Sequence, residues 1–238
     1  CNSSNITVRN CFFRTDDDAI SPKGITRQGG EKLSKSVENM LVEDCVFWVD
    51  FANVFRIATE SSCPAIRNFT ARNIDVIHFP NRNQVQIFWL HPTGEMVMEN
   101  LTFDNIKING EIPYNLIKLT PALNLVGTRP IKQPTPNNIK VGSGRRGIGS
   151  RGYGEFVVVV PSNGPFIHNV TFRNISTYGG ETAYCNERGF VLLQGIDEEH
   201  DVSNITFDKV SYFGNVIDGE NSKVKKNQYV KHVRFIKE

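Results

Sequence analysis

Residues 4–11 read SNITVRNC, and variants of this phrase recur along the chain. The other copies are ENMLVEDC at 38–45, RNFTARNI at 67–74, ENLTFDNI at 99–106, NNIKVGSG from 137, HNVTFRNI at 168–175, SNITFDKV at 203–210 and a partial copy around His232 and Val233. Successive copies start 28 to 38 residues apart. Internal periods of this size are typical of solenoids, propellers and arrays.

The order of residues within the phrase indicates a strand that bends. If its first Asn is position zero, positions +1 and +3 are apolar, as in Ile6 and Val8, which is the alternation of a half-buried strand. The apolar character returns at +6 (Cys11), which breaks that alternation and requires a bend. Asn or Asp, which tolerate left-handed backbone geometry, occupy +5 in five copies: Asn10, Asp44, Asn73, Asn105 and Asn174. We expect stacked copies to align these residues into a polar ladder.

A second apolar strand follows each phrase. These strands are DAIS at 18–21, NVFRIA at 53–58, VQIFWL at 85–90, LIKLT at 116–120, FVVVV at 156–160, FVLLQ at 190–194 and NVID at 215–218. Long amphipathic helices are missing, which disfavours helical and leucine-rich repeats, and a propeller blade needs four strands per repeat. The sequence therefore predicts an all-β fold, a right-handed single-stranded parallel β-helix. Its position +3 residues should stack in one buried row: Val8, Val42, Ala71, Phe103, Phe172 and Phe207.

Length and composition are those of one domain covering residues 1–238, which begins in mid-pattern and is expected to be the C-terminal portion of a longer protein. A Pro- and Gly-rich excursion is predicted at 121–155. The net charge of +2 gives no argument for a nucleic-acid partner, and no apolar run is long enough for a membrane span. The five cysteines form no CxxC pair, and neither a metal site nor a cofactor is predicted.

The most unusual local feature is TDDDAIS at 15–21, where three aspartates run directly into a strand. Carboxyl groups this close repel one another, and a pair divided into a protonated and an ionised member can act as acid and base in glycoside hydrolysis. Two other interpretations are an exposed acidic turn and a calcium site. Residue type alone does not choose among them.

The segment ITVRNCFFRTDDDAIS resembles the polygalacturonase-type β-helix hydrolases and, more closely, the dextranase and isopullulanase family. Both place paired aspartates at the end of a strand after a phrase like NITVRNC, and the flanking repeat extends the resemblance through most of the chain. It implies a pectin-lyase-like solenoid and hydrolysis with inversion. Asp17 and Asp18 match the pair, with Asp17 the general acid and Asp18 helping to activate water. If Asp16 belongs to the pair, the assignment shifts by one residue toward the N-terminus.

Three departures from those families limit the substrate. Their further Asp, one coil before the pair, would lie upstream of Cys1. Asn53 stands where polygalacturonases have the His of a Gly-His-Gly, and QVQIFWL at 84–90 lacks their Arg-Ile-Lys. Galacturonate is therefore a poor guess, and a neutral or differently charged glycan is a better one.

Substrate contacts are expected from outward positions of neighbouring strands. Arg56, Gln86 and Lys118 sit mid-strand among apolar residues, and Asn53 precedes Arg56 by three residues. Trp89 is a candidate for stacking on a sugar ring, with an aromatic packed between coils as the alternative.

The sequence thus predicts a glycoside hydrolase that cleaves a polysaccharide or oligosaccharide with inversion, by paired aspartates. A non-catalytic β-helix that binds glycans or mediates adhesion, and a polysaccharide lyase, are the alternatives. A secreted, periplasmic or cell-surface location is the expectation for such proteins.

Overall fold

A computed structural model describes residues 3–24, 35–58, 61, 63–79, 86–92, 96–109, 115–119, 166–178, 191–212, 214–220 and 224–237. Throughout these ranges the regular structure is β, with no helix and hence none able to cross a membrane. The strands are β1 (Ile6–Arg9), β2 (Phe12–Thr15), β3 (Val37–Val49), β4 (Phe55–Ile57), β5 (Ala65–His78), β6 (Gln86–Leu90), β7 (Val97–Asn109), β8 (Asn115–Leu119), β9 (Phe166–Tyr178), β10 (Val191–Leu193), β11 (Val202–Asp208), β12 (Ser211–Tyr212), β13 (Asn215–Val216), β14 (Val224–Lys226) and β15 (Val230–Ile236).

Two parallel sheets make up the solenoid. The larger one contains the repeated phrases in the order β1-β3-β5-β7-β9-β11-β15, and β2 continues the first rung beside β3. The smaller one has the order β4-β6-β8-β10-β14, and its first four strands lie in the predicted second strands NVFRIA, VQIFWL, LIKLT and FVLLQ. Two of the other predicted second strands differ: DAIS supplies only an isolated bridge at Ile20, and in NVID the residues of β13 pair antiparallel with β12 in the larger sheet. Every pairing between successive phrases is parallel, so the predicted parallel β-solenoid is confirmed. Its right-handed sense stays a prediction.

The predicted row at position +3 is present in register. Val8 pairs with Val42, and the row continues through Ala71, Phe103, Phe172 and Phe207 to Phe235. Val8 is partly buried in the first rung, and the next five residues of the row are almost fully buried. The rings of Phe103 and Phe172 stack at 5.1 Å between centroids, and those of Phe172 and Phe207 at 5.5 Å. Aromatic stacking between rungs therefore extends along the core.

Each long strand bends twice, whereas the sequence indicated one bend. In β5 the buried side chains are three residues apart across Asn68 and again across Asn73, and two residues apart elsewhere: Ile66, Phe69, Ala71, Ile74 and Val76. Asn68 and Asn73 both have positive φ, 56° and 55°. The first Asn of the phrase is thus a corner as well, and the larger sheet wraps around three sides of the core.

Both corners are lined by hydrogen-bonded polar ladders. At the first corner each Asn donates its Nδ2 to the Oδ1 of the Asn in the preceding rung, at 2.9–3.3 Å, through Asn5, Asn39, Asn68, Asn100, Asn169 and Asn204. At the second corner Asn73 donates to Asp44 at 3.0 Å and accepts from Asn105 at 2.9 Å. The predicted ladder at +5 is therefore confirmed from Asp44 to Asn105, whereas Asn174 donates to Asp104 Oδ1 of position +4, at 3.1 Å. The ladder at the first corner is a second one that the sequence did not predict.

An alternating row of charges, which the sequence reasoning missed, lies at position +4. Its register partners are Arg9, Glu43, Arg72, Asp104, Arg173 and Asp208. Glu43 is buried between Arg9 and Arg72, at 2.8 Å and 2.6 Å, and Arg173 lies 2.6 Å from Asp104. The hydrogen bond from Arg173 lowers the pKa of Asp104, despite some burial, with help from Asn174. These ion pairs join neighbouring rungs on the outer face.

The predicted excursion at 121–155 and the strand at 156–160 lie outside the described residues. Among the described strands, β7 pairs directly with β9, and β8 directly with β10. The phrases ENLTFDNI and HNVTFRNI are therefore neighbouring rungs, although the spacing of the copies had predicted one from 137 between them.

Candidate active site

The acidic turn follows β2 and leads into the smaller sheet. Ile20 forms a parallel bridge with Phe55, the first residue of β4, which places the turn beside the residues that precede β4. Thr15 Oγ1 donates to the backbone carbonyl of Asp17 at 2.7 Å, and the backbone N–H of Asp18 donates to Asp17 Oδ1 at 2.8 Å. These two bonds hold the turn in one conformation.

The three aspartates have different surroundings. Asp16 and Asp17 are exposed, whereas the Asp18 side chain is 6% exposed. Asp18 Oδ1 accepts hydrogen bonds from the backbone N–H and the Nδ2 of Asn53, at 3.1 and 2.9 Å, and Asp18 Oδ2 lies 3.6 Å from Arg56 Nη1. Asp18 is therefore fixed by donors from the neighbouring rung, while Asp16 and Asp17 face solvent.

Arg56 connects the acidic turn to Trp89. Its guanidinium carbon lies 4.9 Å from the centre of the Trp89 ring, a cation–π geometry. Trp89 is 5% exposed, and the His91 ring is 5.3 Å away. Protein groups therefore cover Trp89 in this arrangement, and a sugar could stack on it only after they moved.

Four of the predicted substrate-binding residues, Arg56, Gln86, Trp89 and Lys118, lie on strands of the smaller sheet. Arg56, Trp89 and Lys118 are consecutive register partners across β4, β6 and β8. Gln86 begins β6 and pairs with Asn115. The side chains of Gln86 and Lys118 lie outside the described part of the structure. Direct contacts thus join Asp18, Asn53, Arg56 and Trp89, while Lys118 shares the register row of Arg56 and Trp89.

A charged and aromatic cluster beside the acidic turn was missed by the sequence reasoning. Asp50 accepts hydrogen bonds from Arg14 Nε at 2.8 Å and from Trp48 Nε1 at 2.7 Å. The Arg14 bond, with that of Trp48, lowers the pKa of Asp50, and the pairing raises the pKa of Arg14. The Trp48 ring lies 5.5 Å from the Arg14 guanidinium and 4.6 Å from the His78 ring. The cluster therefore links β2, which precedes the acidic turn, to the end of β3.

Phe51 is a further residue at the turn that the sequence reasoning passed over. It is 57% exposed and lies between Asp50, whose N–H donates to the Thr15 carbonyl, and Asn53. The signal in the sequence was the offset of 35 residues that aligns DFAN at 50–53 with TDDD at 15–18.

No protein-family model, curated protein or solved structure matches this chain. The resemblance to the polygalacturonase-type and dextranase families therefore rests on the quoted residues. Within the ranges given above, no group of three or more His, Cys, Asp or Glu side chains is placed to hold a metal ion.

Proposed function

We propose that this protein is a glycoside hydrolase that cleaves a polysaccharide with inversion, with Asp17 as general acid and Asp18 assisting the attacking water. The observation that carries the proposal is the contrast within the acidic turn. An exposed carboxyl group at Asp17 stands next to a carboxylate at Asp18 that Asn53 and Arg56 hold in place. Inverting hydrolysis divides the roles of acid and base between two carboxyl groups, and the different surroundings of Asp17 and Asp18 suit them to different roles.

Asp17 suits the role of acid because a substrate can reach it. A general acid must come within hydrogen-bonding distance of the glycosidic oxygen, to which it gives its proton as the bond to the leaving sugar breaks. Asp17 Oδ1 accepts the N–H of Asp18, which fixes the orientation of the carboxyl group.

Asp18 suits the role of base because its position is determined by protein groups. In an inverting reaction a carboxylate takes a proton from the water that attacks the opposite face of the sugar. Asn53 saturates one oxygen of Asp18, and Arg56 stands beside the other. In the alternative register Asp16, which is also exposed, takes part in place of Asp18.

The test is hydrolysis of a panel of neutral and acidic polysaccharides by the wild-type protein and its Asp17→Asn variant. We expect the variant to lose about a hundredfold or more in turnover, the scale of general acid catalysis, with an unchanged melting temperature because Asp17 is exposed. Asp75→Asn, an exposed aspartate on β5, is the matched control. The anomeric form of the first product, followed by NMR, should be inverted.

Equal turnover by the wild type and Asp17→Asn would remove Asp17 from the mechanism. One observation favours non-catalytic glycan binding as the second candidate function: protein donors already occupy Asp18, which is 6% exposed. Glycan binding by both proteins without hydrolysis by either would support it.

A further inference from the structure

We infer that Phe51 forms a stacking subsite for a neutral sugar ring beside Asp17. This inference rests on the proposed function and adds the class of its substrate, a neutral glycan. The backbone contacts fix where Phe51 lies. Asp50 donates its N–H to the Thr15 carbonyl at 2.8 Å, and Ala19 donates to the Asn53 carbonyl at 3.1 Å. Residues 50–53 therefore run alongside residues 15–19 of the preceding rung. Phe51 lies opposite Asp16, at the exposed part of the acidic turn.

The Phe51 ring suits a sugar because it is exposed next to carboxyl groups. It is 57% exposed, whereas the phenylalanines of the core are almost fully buried. A pyranose ring has an apolar face of C–H groups that can be buried against an aromatic ring, while its hydroxyl groups reach polar neighbours. Asp16, which the backbone bond from Asp50 to Thr15 places beside Phe51, supplies a hydrogen-bond acceptor for those hydroxyl groups.

The charges around Phe51 select a neutral sugar over an acidic one. Residues 14–18 and 50–56 together carry four carboxyl groups and two guanidinium groups. Arg14 is hydrogen-bonded to Asp50, and Arg56 lies beside Asp18. A uronate carboxylate would therefore meet a surface with an excess of negative charge, and like charges at an interface discriminate against a ligand.

Phe51 also stands in the rung next to the proposed acid. Its neighbours are held by the Asp50–Arg14 bond on one side and the Asn53–Asp18 bonds on the other. A ring stacked on Phe51 would thus be kept at a constant position relative to Asp17, which is what a subsite adjoining the scissile bond requires.

The experiment measures affinity separately from turnover, by calorimetry on the wild type and the Asp17→Asn variant. The probes are tetrasaccharides of glucose, galactose and mannose, and the galacturonate tetramer. Phe51→Ala should weaken binding of the preferred neutral tetrasaccharide about tenfold or more, the usual loss for an aromatic anchor. Phe51→Trp should retain it, and the galacturonate tetramer should bind more weakly than the neutral sugar. Phe12→Ala is the matched control, since Phe12 is 61% exposed but begins β2, about 10 Å of extended chain before Thr15.

The results separate this inference from the proposed function. Binding that depends on Phe51 in a protein without hydrolysis supports the subsite and overturns the hydrolase. Hydrolysis that depends on Asp17, with unchanged affinity in Phe51→Ala, overturns the subsite alone. Tighter binding of the galacturonate tetramer, an equal loss in Phe12→Ala, or no binding of any neutral tetrasaccharide would also overturn it.

Discussion

At the scale of single residues, the corners of this solenoid depend on left-handed backbone geometry. Among the described residues fourteen non-glycine positions have positive φ, and ten of them are asparagine. Asn visits this region more readily than most residues because its short polar side chain can hydrogen-bond locally. Asp44 is the acidic counterpart, and the three remaining positions are Ala58, Lys209 and His232. Lys209 and His232 occupy phrase positions +5 and zero, where most copies have Asn, whereas Ala58 follows β4 and lies outside the phrase.

Lys209 is the clearest place to improve the fold. It has a φ of 52° and follows Asn174 at the second corner, where an asparagine could donate its Nδ2 to Asn174 Oδ1. We expect Lys209→Asn to raise the free energy of unfolding by about 1–2 kcal/mol, because it relieves left-handed strain and adds a hydrogen bond to Asn174. Denaturant unfolding measures this. The protein must be produced without glycosylation, since the change creates an N-x-S sequence with Ser211.

The two contributions in Lys209→Asn can be separated with Lys209→Gly. Glycine relieves the strain and offers no ladder bond, so the asparagine variant should be the more stable of the two. A wild-type stability no lower than that of either variant would show that position 209 bears no strain.

The acidic pair was readable from the sequence because its residues are adjacent, whereas its partners were only partly readable. Asn53 and Arg56 were selected from their place relative to the repeat, and both contact Asp18. Asp50 and Phe51 were missed because the segment DFAN contains no motif of its own. Its relevance is visible only when residues 50–53 are aligned with residues 15–18. Their proximity is a property of the stacked rungs.

At the scale of the strand, outer-face ion pairs link neighbouring rungs in addition to the backbone hydrogen bonds. The sequence reasoning followed the apolar positions and overlooked +4, where the sign of the charge alternates from one copy to the next. The bend at position zero was missed for a related reason. The prediction used the apolar positions from +1 onward and left out the apolar residue at −2, which lies three residues before +1 and therefore indicates a bend between them. Both signals were present in the aligned copies.

The Asp104–Arg173 pair makes a pH-dependent contribution to stability. Because Arg173 lowers the pKa of Asp104 in the folded protein, this contribution is present above the ordinary aspartate value of 3.8 and is lost as the pH falls through the lower folded value. We expect Asp104→Asn to destabilise the protein at pH 7 by roughly 0.5–1 kcal/mol, the range of a partly exposed ion pair, and to have little effect at about pH 2. Unfolding free energies at the two pH values test this.

Asp75→Asn, on the outer face of the adjoining strand, is a control that should change stability little at either pH. An equal loss from Asp104→Asn at both pH values would attribute the effect to the Asn174 hydrogen bond and packing, not to charge.

At the scale of the whole molecule, the repeat period predicted the solenoid because every rung has the same apolar face to bury. A strand with apolar residues on one side cannot bury them alone, and stacking identical rungs buries all of them in one continuous core. The period did not predict that β7 and β9 are direct neighbours, because the copy from 137 has the spacing of a rung between them.

The connection across 120–165 should therefore be dispensable for the fold. The corresponding connections from the smaller sheet to the next phrase are short: residues 91–96 join β6 to β7, and 194–201 join β10 to β11. Replacing 120–165 with a Gly- and Ser-containing linker as long as 194–201 should preserve the β7–β9 and β8–β10 pairings, because a linker of that length already spans one rung elsewhere. Hydrogen exchange should find the β7 and β9 amides as protected as in the wild type. The control is deletion of β9, which has strand neighbours on both sides and should abolish folding. Loss of protection at β7 and β9 in the linker variant would show that 120–165 supports the stack.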